Sequence, residues 1–153
     1  MKQSAGILVY KLKNNVPEYL LVHPGGPFWK NKDLGSWSIP KGEFTTEDPL
    51  SAAKREFAEE MGIEIDGDFL QLNSVKLKSG KLVHAWALQQ NVDTSLVKSN
   101  EFIIEWPPKS GKLQSFPEVD KAEWFSFEDA LLKINSSQAD FIMEINRRYL
   151  ILK

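Results

Sequence analysis

The sequence predicts an α/β chain of the mixed kind (α+β), with a mixed β-sheet flanked by helices. Three observations carry this. Short apolar segments separated by turn residues fill much of the chain, one capped helical stretch interrupts them, and two further helical stretches close it. That order (strands, helix, strands, helices) differs from a regular βαβ series. With 153 residues, 42% of them hydrophobic, the chain has the size and the apolar content of one core, so 1–153 is expected to form a single domain. No repeat, linker or low-complexity tract divides it.

The elements follow in order. Ala5–Lys11 and Glu18–His23 flank a polar Asn14-Asn15 turn and read as a hairpin. Pro24–Gly35, which contains Gly, Pro and Trp, reads as a loop, and Trp37–Ile39 as a short strand entering a loop around Gly42. A helix is expected over 49–61. Asp48 can cap it, Pro49 suits the first helical position, and Gly62 ends it. Gln71–Leu77 and Leu82–Gln90 read as strands turned at Ser79-Gly80. Phe102–Trp106 is an apolar run stopped by Pro107-Pro108, Lys109–Glu118 a polar loop, and Ala122–Phe125 a strand. Ser126 caps a helix with an acidic first turn. A last helix, about Ser137–Leu150, places Phe141, Ile142, Ile145 and Tyr149 at helical spacing.

Composition narrows the function. A formal charge of −2 leaves no basic field for holding a nucleic-acid polymer. There are no cysteines, which removes disulfide scaffolds, thiolate zinc sites and Cys nucleophiles, and is compatible with a cytoplasmic location. The N-terminal apolar run is too short for a signal peptide. No stretch approaches the ~20 apolar residues of a membrane span.

The chemistry concentrates in residues 42–63. On the expected helix Glu56, Glu59 and Glu60 stand at i, i+3 and i+4, so they share a face, beside an apolar stripe of Leu50, Ala53, Phe57 and Met61. Oxygen ligands at this density suit Mg²⁺ or Mn²⁺. Glu-rich helix faces are commonly just solvated, and the whole string decides against that here. Arg55-Glu56-Phe57-Ala58-Glu59-Glu60-Met61-Gly62-Ile63, with Glu47 upstream and Gly42 before it, resembles the Nudix box: Gly, five residues, Glu, seven residues, Arg-Glu-apolar-x-Glu-Glu-x-Gly-apolar. Only four residues separate Gly42 from Glu47, so the first loop is one residue short.

The resemblance implies a Nudix α/β/α sandwich and hydrolysis of a diphosphate linkage in a nucleoside diphosphate joined to another moiety, by water attack at phosphorus. It implies Glu56 and Glu60 as the first metal ligands, Glu59 as the next ligand or as the base, and the Gly42 carbonyl as a further ligand. Glu47 becomes a helper carboxylate and Arg55 the group that orients the carboxylates. Outside the box, Glu118 in Phe116-Pro117-Glu118-Val119-Asp120 is the candidate base. Lys41, Lys109 and Lys112 are candidate phosphate ligands, and Trp29 is a candidate aromatic face for a base. His84 reads as a satisfied structural histidine. The Trp37-Ser38-Ile39-Pro40-Lys41-Gly42 entry is similar to that of the dinucleoside polyphosphate hydrolases. The expected partner is a small nucleotide or polyphosphate. The alternative is a non-catalytic nucleotide sensor that keeps the fold, and the complete Glu56, Glu59 and Glu60 set favours the enzyme.

Overall fold

Two asparagines begin the architecture. β1 (Gln3–Lys13) and β2 (Val16–Pro24) form an antiparallel hairpin. Its turn is Asn14-Asn15, with φ of 53° and 63°, the left-handed pair that matches strand twist in a two-residue connection. The computed structural model describes the backbone of residues 2–152 and the side chains of residues 2–148. The elements after the hairpin are β3 (Lys41–Phe44), α1 (Pro49–Met61), β4 (Leu70–Gln71), β5 (Val75–Lys76), β6 (Leu82–Gln89), β7 (Glu101–Glu105), β8 (Leu113–Pro117), β9 (Val119–Phe125), α2 (Phe127–Lys133) and α3 (Ala139–Leu152).

The main sheet runs β4-β6-β1-β2-β9, with β3 also on β1 and β5 also on β6. Only the β1–β6 pairing is parallel, so the sheet is mixed. β1 is shared lengthwise on one edge. Its first residues, Gln3–Gly6, pair with β3, and its last, Tyr10–Lys13, pair with β2. Alternation along β1 sends Ala5, Ile7 and Val9 to one face, where Ala52, Ala53, Phe57 and Met61 of α1 cover them. Leu8 points to the other face, against Ile134 and α3 residues Phe141, Ile142 and Ile145. Helices thus cover both faces. Full burial of side chains such as Phe57 and Met61 contributes about 1.5–3 kcal/mol each, which anchors α1 along one stripe.

The helix at 49–61 has the expected bounds, and Gly62 closes it in the left-handed conformation with φ 67°. Several expectations are corrected. Trp37–Ile39 is not a regular strand. It makes isolated bridges, Ser38 to Val22 and Trp37 to Ile134. Gly42 lies within strand β3 rather than a loop, because it pairs with Ala5. Gln71–Leu77 splits into β4 and β5, both on β6. The polar stretch 109–118 is not a loop throughout, since Leu113–Pro117 pairs with β7 as a separate hairpin. Main-chain pairing needs no apolar pattern, so Gln114 and Ser115 hid this strand. The last helix begins after a 3₁₀ turn at Ser136–Gln138. The Tyr149 side chain lies outside the described residues, as do residues 1 and 153. Among the described residues no helix is long and apolar enough to cross a membrane.

Candidate active site

The site is built from α1 outward. The Asp48 side chain accepts the Ser51 amide at 3.1 Å, which fixes the first turn. About two turns on from Asp48, Arg55 gathers three carboxylates. Its Nη2 and Nε donate to the two oxygens of Glu47 at 2.6 and 3.0 Å. Its Nη1 donates to Glu56 at 2.8 Å and to Glu59 at 3.1 Å. The guanidinium fork suits this bidentate task. The short loop between Gly42 and Glu47 therefore still delivers Glu47 to Arg55.

Glu56 points at β3. A Cβ on Gly42 would fall inside the Glu56 carboxylate, so glycine there leaves room for it. Burial raises the Glu56 carboxyl, and the charges of Glu59 and Glu118 add to the rise while Arg55 opposes it. Glu60, about one helical turn further on, is only 8% exposed. Burial pushes it up to about 8, with Lys41 acting against the rise and Glu56 and Glu118 adding to it. Lys41 is lowered by burial and by Lys81, with Glu60 the largest of the charges that oppose this.

A cleft of about 260 Å³ opens beside these groups, between β2, Ser38-Ile39 and the start of β9; Lys41, Glu60 and Glu118 are its charged lining. Glu118 reaches this cleft from a corner between β8 and β9. Its carboxyl is raised by burial and by the charge of Glu59. A larger hollow of about 750 Å³ lies past Arg55 and Glu59. It lacks Lys41, Glu60 and Glu118, the buried lysine and the two raised carboxyls that line the smaller cleft.

As like charges, Glu59 and Glu118 raise the Glu56 carboxyl, Glu56 and Glu118 raise that of Glu60, and Glu59 raises that of Glu118. That donor set, all hard oxygen, fits a divalent cation. Among the described residues no three His, Asp or Glu side chains already converge as a metal cage. Arg55 holds Glu56 and Glu59 through one nitrogen.

The other expected residues lie further out. Trp29 is 38% exposed, with Lys32 Nζ 5.0 Å above its ring. Lys109 and Lys112 lie at the β7–β8 turn, where Glu105 accepts the Lys109 and Gly111 amides. Lys112 precedes β8 and Glu118 follows it, so the two stand at opposite ends of that strand. His84 is satisfied between Ser74 at 2.8 Å and Gln3 at 2.6 Å.

The NUDIX domain family model matches residues 2–145. The chain belongs to the Nudix family. It is a pyrophosphohydrolase by that membership, of the class that hydrolyses nucleotide-linked diphosphates. Nudix enzymes generally use divalent metal ions. No curated protein matches the chain. Among solved structures, it is similar to a C. elegans Ap4A hydrolase in a binary complex, with TM-score 0.66 and 22% identity over 94% of this chain and 96% of that one. It is similar to the Nudix domain of Shewanella oneidensis NrtR complexed with ADP ribose, with TM-score 0.64 and 15% identity over 95% and 86%. A mutT/nudix family protein from Listeria innocua gives TM-score 0.63 and 16% identity over 98% and 97%. At such identities these likenesses concern the Nudix fold.

Sequence reasoning missed what frames Glu118. Gly25 donates its amide to the Glu118 carbonyl at 2.9 Å, and a Cβ there would collide with the Pro117 carbonyl. The Gly25-Gly26 pair was the available signal, because two glycines after a strand mark a close backbone approach. Phe28 precedes Trp29 in the same loop. It is 62% exposed and meets Trp106 edge-on at 5.2 Å.

Proposed function

We propose that this Nudix hydrolase cleaves a diphosphate linkage in a nucleoside diphosphate joined to another moiety, with Mg²⁺ or Mn²⁺ required and with dinucleoside polyphosphates or nucleoside triphosphates as preferred substrates. The observation that carries the reading is Lys41, Glu60 and Glu118 around one cleft, with Glu56 charge-coupled to them. The Trp37–Gly42 entry and the fold shared with the C. elegans Ap4A hydrolase support the choice of substrate.

Glu56, Glu59 and Glu60 would hold the cation, with the Gly42 carbonyl beside them. When bound, it neutralises diphosphate oxygens and acidifies water. The residues do the rest. Arg55 keeps Glu56 and Glu59 aimed, and Glu47 keeps Arg55 extended. Lys41 donates to a phosphate oxygen from the cleft wall. Glu118 takes a proton from the attacking water as its oxygen bonds to phosphorus, and Glu59 is the alternative base. The P–O bond to the leaving phosphate breaks, and that phosphate leaves with the electron pair. Trp29 offers a base an aromatic face, and Lys109 and Lys112 serve the far end of a long polyphosphate.

The test is product release from a panel of dinucleoside polyphosphates, nucleoside triphosphates and nucleotide sugars, with Mg²⁺ and with EDTA. Turnover with Mg²⁺ that EDTA abolishes is expected. Nucleotide binding with no turnover on any member would move the reading to the sensor.

A further inference from the structure

Glu118 stands between β8 and β9, which belong to different sheets. A residue at such a corner has no ladder partner on either side, so whatever bonds its flanking amides sets its direction. Its N–H donates to the Asn100 carbonyl at 2.8 Å, and its carbonyl accepts the Gly25 amide at 2.9 Å. The next amide, Val119, donates to Ser99 Oγ at 3.0 Å. Ser99 Oγ in turn donates to the Asn100 carbonyl at 2.8 Å. One hydroxyl thus spends its acceptor on the amide after Glu118 and its donor on the carbonyl that receives the Glu118 amide.

The same segment is tied to the helix that carries the other carboxylates. Lys98 donates its amide to the Met61 carbonyl, and Asn100 to the Glu59 carbonyl, both at 2.9 Å. Residues 98–100 therefore bridge the last turn of α1 to the Glu118 corner, and Ser99 is the side chain that closes the bridge. We infer that Ser99 is a positioning residue, whose hydroxyl fixes the Glu118 carboxylate relative to Glu56, Glu59 and Glu60. The inference rests on the reading of Glu118 as the base, so the experiment includes Glu118 itself.

The experiment measures kcat, KM and the pH profile of kcat with Mg²⁺ for wild type, S99A, S99T, E118Q and S99A/E118Q. The substrate is whichever of diadenosine tetraphosphate and ATP is turned over faster, and melting temperatures are recorded for each variant. A carboxylate displaced by about 1 Å can lose up to about a hundredfold in rate. S99A is expected to lower kcat at least about tenfold on that scale, with KM little changed and the acid limb of the profile altered as in E118Q. S99T keeps a hydroxyl and is expected to restore wild-type kcat. In the E118Q background S99A is expected to cost nothing further, because both changes remove the same aimed carboxylate. If S99A multiplies the E118Q defect, or if S99T fails while melting normally, the positioning role is overturned and Glu118 stands. If E118Q itself keeps wild-type kcat, the reading of Glu118 falls and the inference falls with it.

Discussion

Glu60 offers the sharpest test of the carboxylate cluster, because its burial carries a stability cost that depends on pH. In the metal-free protein its carboxyl rises from 4.5 to about 8. The sign follows from the direction of that rise. The folded state favours the neutral acid, so the full stability is present below 4.5 and is lost as pH climbs through about 8. At about 1.4 kcal/mol per tenfold, the complete loss is about 5 kcal/mol, of which about 3 kcal/mol falls between pH 6 and pH 9. For a domain of this size that is about 6–12 °C in melting temperature. The assay is thermal melting in EDTA from pH 6 to pH 9, for wild type and E60Q. Glutamine keeps a carbonyl oxygen for the Lys41 amide and has nothing to ionise. Its melting temperature is expected to fall less steeply, with Glu56 and Glu118, also raised, supplying what slope remains. Lys41, lowered by burial, gives an opposite slope toward the alkaline end. Mg²⁺ should then raise wild type more at pH 8.5 than at pH 6, since it binds the ionised carboxylate, and should do little for E60Q. Parallel curves for the two proteins in EDTA, or equal Mg²⁺ shifts, would refute both the buried-acid argument and the assignment of Glu60 to the cation.

Three further outcomes are expected. R55K keeps the charge but loses the fork that spans Glu47, Glu56 and Glu59; kcat should drop about 10- to 100-fold, as for other groups that orient metal ligands, and a kcat within twofold of wild type would contradict the role. G42A puts a methyl into the Glu56 carboxylate, and steady-state kinetics should show a kcat loss of up to about a hundredfold with a nearly normal far-ultraviolet circular dichroism spectrum. Hydrolysis in ¹⁸O-water should place the label on one phosphate product, read by mass spectrometry. A trapped phosphoryl- or nucleotidyl-enzyme would replace direct water attack with a covalent route.

How much of this could be read from the chain depended on whether the information was local. The bounds of α1 follow from residues within one turn of each end: Asp48 and Pro49 at the start, Gly62 at the stop. The grouping of Glu56, Glu59 and Glu60 follows from helix pitch alone. The hairpin turn at Asn14-Asn15 is equally local. What pairing partners decide was not legible. Trp37–Ile39 has strand-like residues yet makes only bridges, because β2 and Ile134 meet it at single points. Leu113–Pro117 has little apolar pattern yet is a strand, because β7 supplies the ladder.

The site divides along the same line. Arg55, Glu56 and Glu59 are neighbours in sequence, and helical spacing places them. The setting of Glu118 depends on Gly25 and Asn100, which meet it through main-chain atoms, and on the Ser99 hydroxyl, which accepts the Val119 amide. Main-chain hydrogen bonds leave almost no trace in residue type, apart from a glycine where a side chain would collide. The cleft therefore joins two kinds of order. One side is Glu60, carried by a helix whose chemistry is written in its spacing. The other is a corner whose direction comes from a few amides and one hydroxyl, and the distance between the two walls is set where residues 98–100 bind both.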